Sequence, residues 1–147
     1  MSTVLEIGIT KKNNQEIEKK NTIEVVAYKG IIGDRYFHDF NGDREQITLI
    51  ESENIDYYNK NFNTNFNYLD FRRNIITKDI ELNNLIGKTI QVGKIKLQVN
   101  DLCRPCKNLQ NRLGQNNIIK EFLKRGGLRC EILTSGFINV GDKIINI

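Results

Sequence analysis

The sequence predicts a mainly β domain, barrel-like, with two or three short helices. Two observations predict this. Short runs rich in Val, Ile and Leu recur along the whole chain, and most are separated by glycine-containing turns rather than by long helical patterns. Helical spacing of apolar residues is confined to a few brief stretches. At 147 residues the chain reads as one domain spanning residues 1–147. A chain of this size buries about two thirds of its unfolded surface and needs no covalent staples.

Residues 4–9 read as a short β-branched strand, and residues 11–21 as a polar connection or hairpin tip. Residues 23–28 read as a second strand. Next comes Lys29-Gly30-Ile31-Ile32-Gly33-Asp34-Arg35, where two glycines flank an apolar pair and an acid and a base follow. Glycine opens backbone conformations closed to other residues, so this segment is either a site loop or a plain turn. Residues 36–45 are polar and aromatic and hold the single histidine, His38, read as a surface or packed side chain. Residues 46–50 read as a strand that gives way to a helix with Ser52 as N-cap and Ile55, Tyr58 and Phe62 on one face. Those aromatics are assigned to the core. An Asn-rich loop is expected over residues 59–67. Phe71 and the Ile75–Ile76 pair then mark a buried strand interrupted by Arg72, Arg73 and Asn74.

Residues 82–87 read as a turn, and residues 89–92 and 94–99 as a hairpin through Gly93. A short helix is expected up to Leu113, with Gly114 as its stop, and a second over residues 117–124, with Ile118 and Phe122 inward and Arg125-Gly126-Gly127 as its end. Residues 128–133 alternate Leu128, Cys130 and Ile132 against Arg129 and Glu131, a half-buried strand that turns Cys130 toward the core. Residues 135–143 carry two turn signals before a final strand over residues 143–147.

The segment most suggestive of chemistry is Leu102-Cys103-Arg104-Pro105-Cys106-Lys107-Asn108-Leu109, with two of the three cysteines and the only proline. Proline fits near a helix start, where its missing N–H is not needed. That puts Cys106 in the first helical turn beside Lys107 and near Arg104, a setting that favours the thiolate, which is the nucleophilic and metal-binding form. Four readings stay open for the Cys-x-x-Cys: inert packed cysteines, a dithiol redox pair, half of a zinc site, or a ligand set for another metal or cofactor. A second Cys-x-x-Cys is absent and no βαβ context surrounds this one. Separately, Arg72 with Asn74 pairs a fork donor with an amide, a combination suited to an anion.

An odd number of cysteines argues against a secreted disulfide framework. The first nine residues are short and interrupted by Glu6, unlike a signal peptide, and no apolar run approaches the ~18 residues of a membrane span. A reduced, cytoplasmic compartment is expected, with no membrane partner. The net charge of +4 suits an anionic small ligand. The basic residues are scattered and no aromatic-rich motif accompanies them, so nucleic acid is not an expected partner.

Six segments, taken in order, resemble a known family. They are Gly30-Ile31-Ile32-Gly33-Asp34-Arg35, Arg44-Glu45-Gln46-Ile47-Thr48-Leu49, Phe71-Arg72-Arg73-Asn74-Ile75, Leu85-Ile86-Gly87, Cys103-x-x-Cys106, and Gly126-Gly127 running on to Gly136-x-Ile138-x-Val140-Gly141-Asp142. Their order and spacing resemble the MOSC domain, named for the C-terminal domain of molybdenum cofactor sulfurase, in its stand-alone bacterial form. The resemblance covers nearly the whole chain. It implies a β-barrel-like fold and binding of the molybdenum cofactor (molybdopterin), a pterin dithiolene with a phosphate. It implies Cys106 as the metal ligand and, in any enzymatic role, the catalytic residue. Arg72 and Asn74 correspond to an Arg-x-Asn that meets the cofactor's anionic and polar groups, and Gly33, Asp34 and Arg35 to a segment at the rim of the same site. Cys103 departs from many relatives, and is kept here as a cofactor-side candidate. The implied roles are carriage or delivery of cofactor, possibly sulfurated, to molybdoenzymes, or reduction of N-hydroxylated compounds with electrons from a separate donor protein. A thiol or zinc module without molybdenum is the third reading. Nothing in the chain matches the pyridoxal-phosphate domain of the full sulfurase.

Overall fold

The computed structural model describes residues 1–12, 15–39 and 45–147. Eleven strands are found among them: β1 (Thr3–Ile9), β2 (Glu18–Lys20), β3 (Thr22–Val26), β4 (Gly30–Ile31), β5 (Ile47–Glu51), β6 (Ile75–Lys78), β7 (Thr89–Val92), β8 (Ile95–Leu102), β9 (Leu128–Ile132), β10 (Gly136–Asn139) and β11 (Ile144–Asn146). Three helices accompany them: α1 (Ser52–Phe62), α2 (Lys107–Leu113) and α3 (Ile118–Glu121). Two 3₁₀ turns, Tyr68–Phe71 and Leu82–Leu85, flank β6.

Eight strands form one curled sheet, a half-barrel in the order β11-β7-β8-β9-β5-β6-β1-β2, and β10-β3-β4 form a second. Among the described residues the one parallel pair is β5 with β6, and α1 makes the crossover a parallel pair requires. The sheet bends back on itself. Thr3 bridges Lys143 and the Val4 N–H donates to the Asp142 carbonyl, so the start of β1 meets the approach to β11. The alternation of β9 against β8 and β5 turns Cys130 inward, opposite Val99 and Ile47, and it is fully buried as the sequence pattern predicts.

The apolar residues divide by face. Ile47, Leu49 and Ile75 point into the barrel core with Val99, Leu128 and Cys130. Ile50 and Ile76, one residue on, point the other way and pack with Ile55, Tyr58, Phe71 and Phe122 under the helices. Burial on both faces is what a parallel pair demands. Phe71 and Phe122 meet at a centroid distance of 4.7 Å, and Tyr58 and Phe122 at 5.3 Å.

Several expectations need correction. Residues 18–20 are a strand, held in register by β1 rather than by any apolar pattern of their own. Gly30–Ile31 and Gly136–Asn139 are also strands, because both pair with β3. Helix α1 runs through residues 59–62, which the Asn-rich composition assigns to a loop. Its N-cap is Glu51, not Ser52; the Ser52 hydroxyl donates to Glu53 while the Glu51 carboxylate accepts the Leu82 N–H at 3.1 Å. Phe62 is not core: it is 37% exposed and stacks on Tyr58. The polar segment expected over residues 36–45 falls in part, with Asp43 and Arg44, outside the described residues.

Candidate functional site

The site is built in two layers. The inner layer starts at β4. After Ile31 the chain turns through Gly33, whose φ of +88° favours glycine. Asp34 follows, 5% exposed. One of its carboxylate oxygens accepts the Thr10 N–H at 3.0 Å and an Asn74 amide hydrogen at 3.4 Å, and the other accepts the Tyr36 N–H at 3.3 Å. Asn74 is fully buried. Its amide also donates to the Gly8 carbonyl at 3.1 Å, and its oxygen accepts the Thr48 N–H at 3.0 Å and the Thr48 hydroxyl at 3.1 Å. Every amide hydrogen of Asn74 is thus used inside the protein. Gly33, Asp34 and Asn74 stand behind the cavity and tie β1, β5 and β6 together.

The outer layer is basic. Arg35 lies with its guanidinium carbon 4.4 Å from the centroid of the Tyr36 ring and donates to the Tyr36 hydroxyl and the Arg72 carbonyl at 3.3 and 3.4 Å. Its other terminal nitrogen, Nη1, is buried with no hydrogen-bond partner among the described residues. Arg72 ends the Tyr68–Phe71 turn in the left-handed conformation, φ 65°, and donates to the Gln15 carbonyl at 2.7 Å. Burial first, then the like charges of Arg112 and Arg35, hold its guanidinium below the ordinary arginine range. Arg112, in the last turn of α2, donates to the same Gln15 carbonyl at 3.3 Å.

Arg73 points the opposite way. Its guanidinium reaches the carbonyls of Gly126 (2.8 Å), Cys103 (3.0 Å) and Phe71 (3.4 Å). This clamps the cysteine loop against the turn after α3. Close approach explains the paired glycines there. A Cβ on Gly126 would lie 2.4 Å from the Cys103 carbonyl oxygen, and one on Gly127 1.8 Å from that of Leu49.

The two cysteines face different surroundings. The strand alternation carries past β8, so Cys103 and Pro105 are buried while Arg104 and Cys106 are exposed. Cys103 donates its backbone N–H to the Gly127 carbonyl, and its sulfur lies 3.8 Å from a Glu45 carboxylate oxygen. Burial pushes the Cys103 thiol up, against the opposing pull of Arg73. Cys106 is the N-cap of α2, one position earlier than the first helical turn expected, and Pro105 accordingly precedes the cap. The residue before a proline is driven to extended backbone, which delays the helix.

Cys106 opens into a cavity of 210 Å³ walled by Arg35, Tyr36, Arg72, Arg73 and Arg112. A second cavity of 360 Å³ shares Tyr36, Arg73 and Cys106 and adds Glu45, Cys103 and Arg129. Of the predicted site residues, Cys106, Arg35 and Arg72 therefore meet directly, Cys103 lies next door, and Gly33, Asp34 and Asn74 lie behind. Sequence reasoning missed Tyr36, Glu45, Arg112 and Arg129, and did not foresee the clamp made by Arg73. Arg112 carried a usable signal, since Asn108 and Arg112 are four apart on one helix face. Among the described residues no three His, Cys, Asp or Glu side chains group as a closed metal site would require. No described helix is long and apolar enough to cross a membrane.

Comparison with solved structures finds the same architecture. The YuaD protein of Bacillus subtilis superposes with a TM-score of 0.83 at 17% identity, covering 98% of this chain and 94% of that one. YiiM of Geobacillus stearothermophilus gives 0.81 at 15% identity over 100% and 75%, and YiiM of Escherichia coli 0.77 at 17% over 100% and 70%. At these identities the likeness is one of fold. A search of curated protein sequences finds no match. The sequence profile of the MOSC domain matches residues 37–145, most of the chain, with Arg72, Arg73, the cysteine segment, Arg112 and the paired glycines inside the match and Arg35 just before it, and the chain therefore belongs to the MOSC domain family.

Proposed function

We propose that this MOSC domain binds the molybdenum cofactor, with the metal held by the Cys106 thiolate. One observation carries the reading: an exposed thiol opens into a cavity walled by four arginines, one of which keeps a buried N–H without a partner among the described residues. The donor set fits the group. A thiolate is a soft ligand suited to a metal in a sulfur-rich sphere. Guanidinium forks suit a phosphate and the polar edge of a pterin. A net charge of +4 favours an anionic ligand.

In this reading Arg35, Arg72 and Arg112 hold the anionic end of the ligand. Asp34 and Asn74 act from behind, since their bonds to Thr10, Tyr36 and Gly8 fix the backbone that carries Arg35. Arg73 sets the position of Cys106 by clamping its loop. Cys103 stays a protonated neighbour in the adjoining cavity. When bound, the cofactor supplies redox and sulfur- or oxygen-atom chemistry at the metal. The protein carries or delivers the cofactor, in the cytoplasm, to molybdoenzymes. A second reading draws on the 360 Å³ cavity that opens on the same thiol. That space suits a small substrate, and the protein would then reduce N-hydroxylated compounds with electrons from a separate donor protein.

The test is elemental analysis of protein purified without oxygen from a host that makes the cofactor, beside the Cys106→Ser variant. Near-stoichiometric molybdenum in the wild type and none in a folded variant supports the assignment; equal metal content in both defeats it. Turnover of an N-hydroxylated base by the metallated protein with a reduced donor selects the enzyme, and its absence selects the carrier.

A further inference from the structure

Basic residues are spread along the chain, yet outside one segment acids match them. The chain has 22 Lys and Arg against 18 Asp and Glu. Residues 102–120 hold four of those cations, Arg104, Lys107, Arg112 and Lys120, and no acid, so the remainder is balanced at 18 of each. The whole net charge of +4 therefore lies in the segment that carries Cys106. The acid just before that segment, Asp101, is matched by Arg129 at 2.6 and 2.9 Å.

Helix α2 turns this charge outward. Leu109 packs into the core under the helices, and Gln110 ties α2 to α3 by accepting the Ile119 N–H at 3.0 Å. That leaves Lys107, Asn108, Asn111 and Arg112 exposed, two pairs four residues apart on one face. Arg104 and Cys106, also exposed, continue the face past the helix start. These six side chains are cations, amides and one thiol, with no acid and no aromatic ring among them. Neither Arg104 nor Lys107 makes a side-chain hydrogen bond or ion pair among the described residues. Lys107 lines neither cavity at Cys106, so its charge serves no ligand held there and acts outward. Exposed cations of this kind add little to folding, but together they attract and orient an anionic surface. Nucleic acid would call for rings on which bases stack, and the face offers none. Encounters between redox proteins are small and transient, and matched surface charge is enough to bring the two together.

We propose that this face docks an acidic redox protein, whose carboxylates meet Arg104, Lys107 and Arg112 and whose electron-donating centre comes to rest over Cys106. The partner's chemistry rests on the reductase reading above; its placement rests on charge alone.

Calorimetric titration of the protein as purified makes the test, with two acidic donors, a flavodoxin and a plant-type [2Fe–2S] ferredoxin, and one basic redox protein, cytochrome c. At least one acidic donor should bind and cytochrome c should not. Binding should weaken at least tenfold between about 20 mM and about 300 mM salt, as screening shortens the reach of the charges. Arg104→Glu with Lys107→Glu should weaken it at least tenfold and leave the thermal midpoint unchanged. Lys94→Glu with Lys96→Glu alters two exposed lysines at the other end of β8 and should weaken it less than twofold. Both double variants bring the formal net charge from +4 to zero, so the contrast between them reports place rather than total charge. Equal losses in the two variants, equal binding of cytochrome c, or no binding of either acidic donor overturns the inference. Tighter binding of a single-stranded oligonucleotide than of either donor gives the face to nucleic acid and overturns it as well. Molybdenum content of the same samples tests Cys106 separately. Docking without molybdenum keeps the inference and defeats the metal assignment, and molybdenum without docking does the reverse.

Discussion

Two neighbouring layers of this molecule draw on the same sequence segments and are built on opposite principles. In the inner layer Asn74 and Asp34 are fully or almost fully buried, and their side chains are bonded to Thr48, Gly8, Thr10 and Tyr36. In the outer layer Cys106 is exposed, the guanidinium groups of Arg112 and Arg35 both bear on Arg72, and Arg35 leaves one buried N–H unmatched among the described residues. A saturated network rigidifies, and an unsaturated one is a place where a ligand can complete the bonding. Residues that sit together in one motif thus divide between holding the shape and meeting the ligand. Mutations should separate the two by stability against binding.

The largest effect belongs to the paired glycines that let the turn after α3 approach the cysteine loop on one side and β5 on the other. Gly127 has φ +97°, and an added Cβ would lie 1.8 Å from the Leu49 carbonyl oxygen. That oxygen is backbone in a strand paired on both sides, so no side-chain shift relieves the clash. Gly127→Ala should cost about 4 kcal/mol or abolish cooperative folding, read by urea denaturation. A loss under about 1 kcal/mol would show that the loop is not held tightly against β5.

Next is Asn74→Ala. It strands the Thr48 N–H and the Gly8 carbonyl in a buried site, where each unmade bond costs about 1–3 kcal/mol. A total loss of about 2–4 kcal/mol is expected by the same measurement. Unchanged stability with lost anion binding would move Asn74 into the outer layer and undo the comparison.

This division explains what the sequence made legible. Strand alternation found Cys130 facing inward, because period two is set by local geometry. The motif order gave the fold and brought Arg35, Arg72 and Cys106 to one cavity. It did not reveal that Asn74 is internal, since an amide in a polar run looks the same whether it bonds a ligand or the Gly8 carbonyl 66 residues away. Arg73 was opaque for the same reason: its acceptors at Cys103 and Gly126 lie 30 and 53 residues downstream. Strands β2 and β10 were missed because their extended form is imposed by partners β1 and β3, not by their own composition.

The cysteines extend the contrast to pH. Burial raises the thiols of Cys103 and Cys130 above the ordinary thiol range. Folding therefore favours their neutral forms. The unfolded chain ionises first, near pH 8.5, so the stabilisation is complete below that pH and is lost as pH rises toward the raised folded values. For Cys130 the slope is about 1.4 kcal/mol per pH unit above that point. Urea unfolding between pH 7 and 10 should show the decline, and Cys130→Ala should flatten it even though the variant starts less stable. The same slope in both proteins would assign the alkaline loss to other groups. Thiol titration gives a companion check, with one thiol, Cys106, reacting in the native protein and three after denaturation.

The smallest effect on stability falls on the residue with the largest expected effect on binding. Arg72 holds a left-handed backbone, φ 65°, which costs a non-glycine residue about 1 kcal/mol or more. Its guanidinium gains a bond to Gln15 but lies near Arg112 and Arg35, whose like charges weaken its charged state. Arg72→Gly removes the backbone strain and the repulsion along with the guanidinium's own bonding, that to Gln15 included, so stability should change by no more than about 1 kcal/mol. Arg72→Ala keeps the strained conformation and should be less stable than the glycine variant by about 1 kcal/mol. Both should bind phosphate esters at least tenfold more weakly than wild type in a calorimetric titration. The difference between the two variants reports the backbone, and their shared loss reports the guanidinium. A drop of about 3 kcal/mol in Arg72→Gly with binding intact would instead place Arg72 beside Asn74, as a part of the scaffold that reaches the cavity wall without serving it.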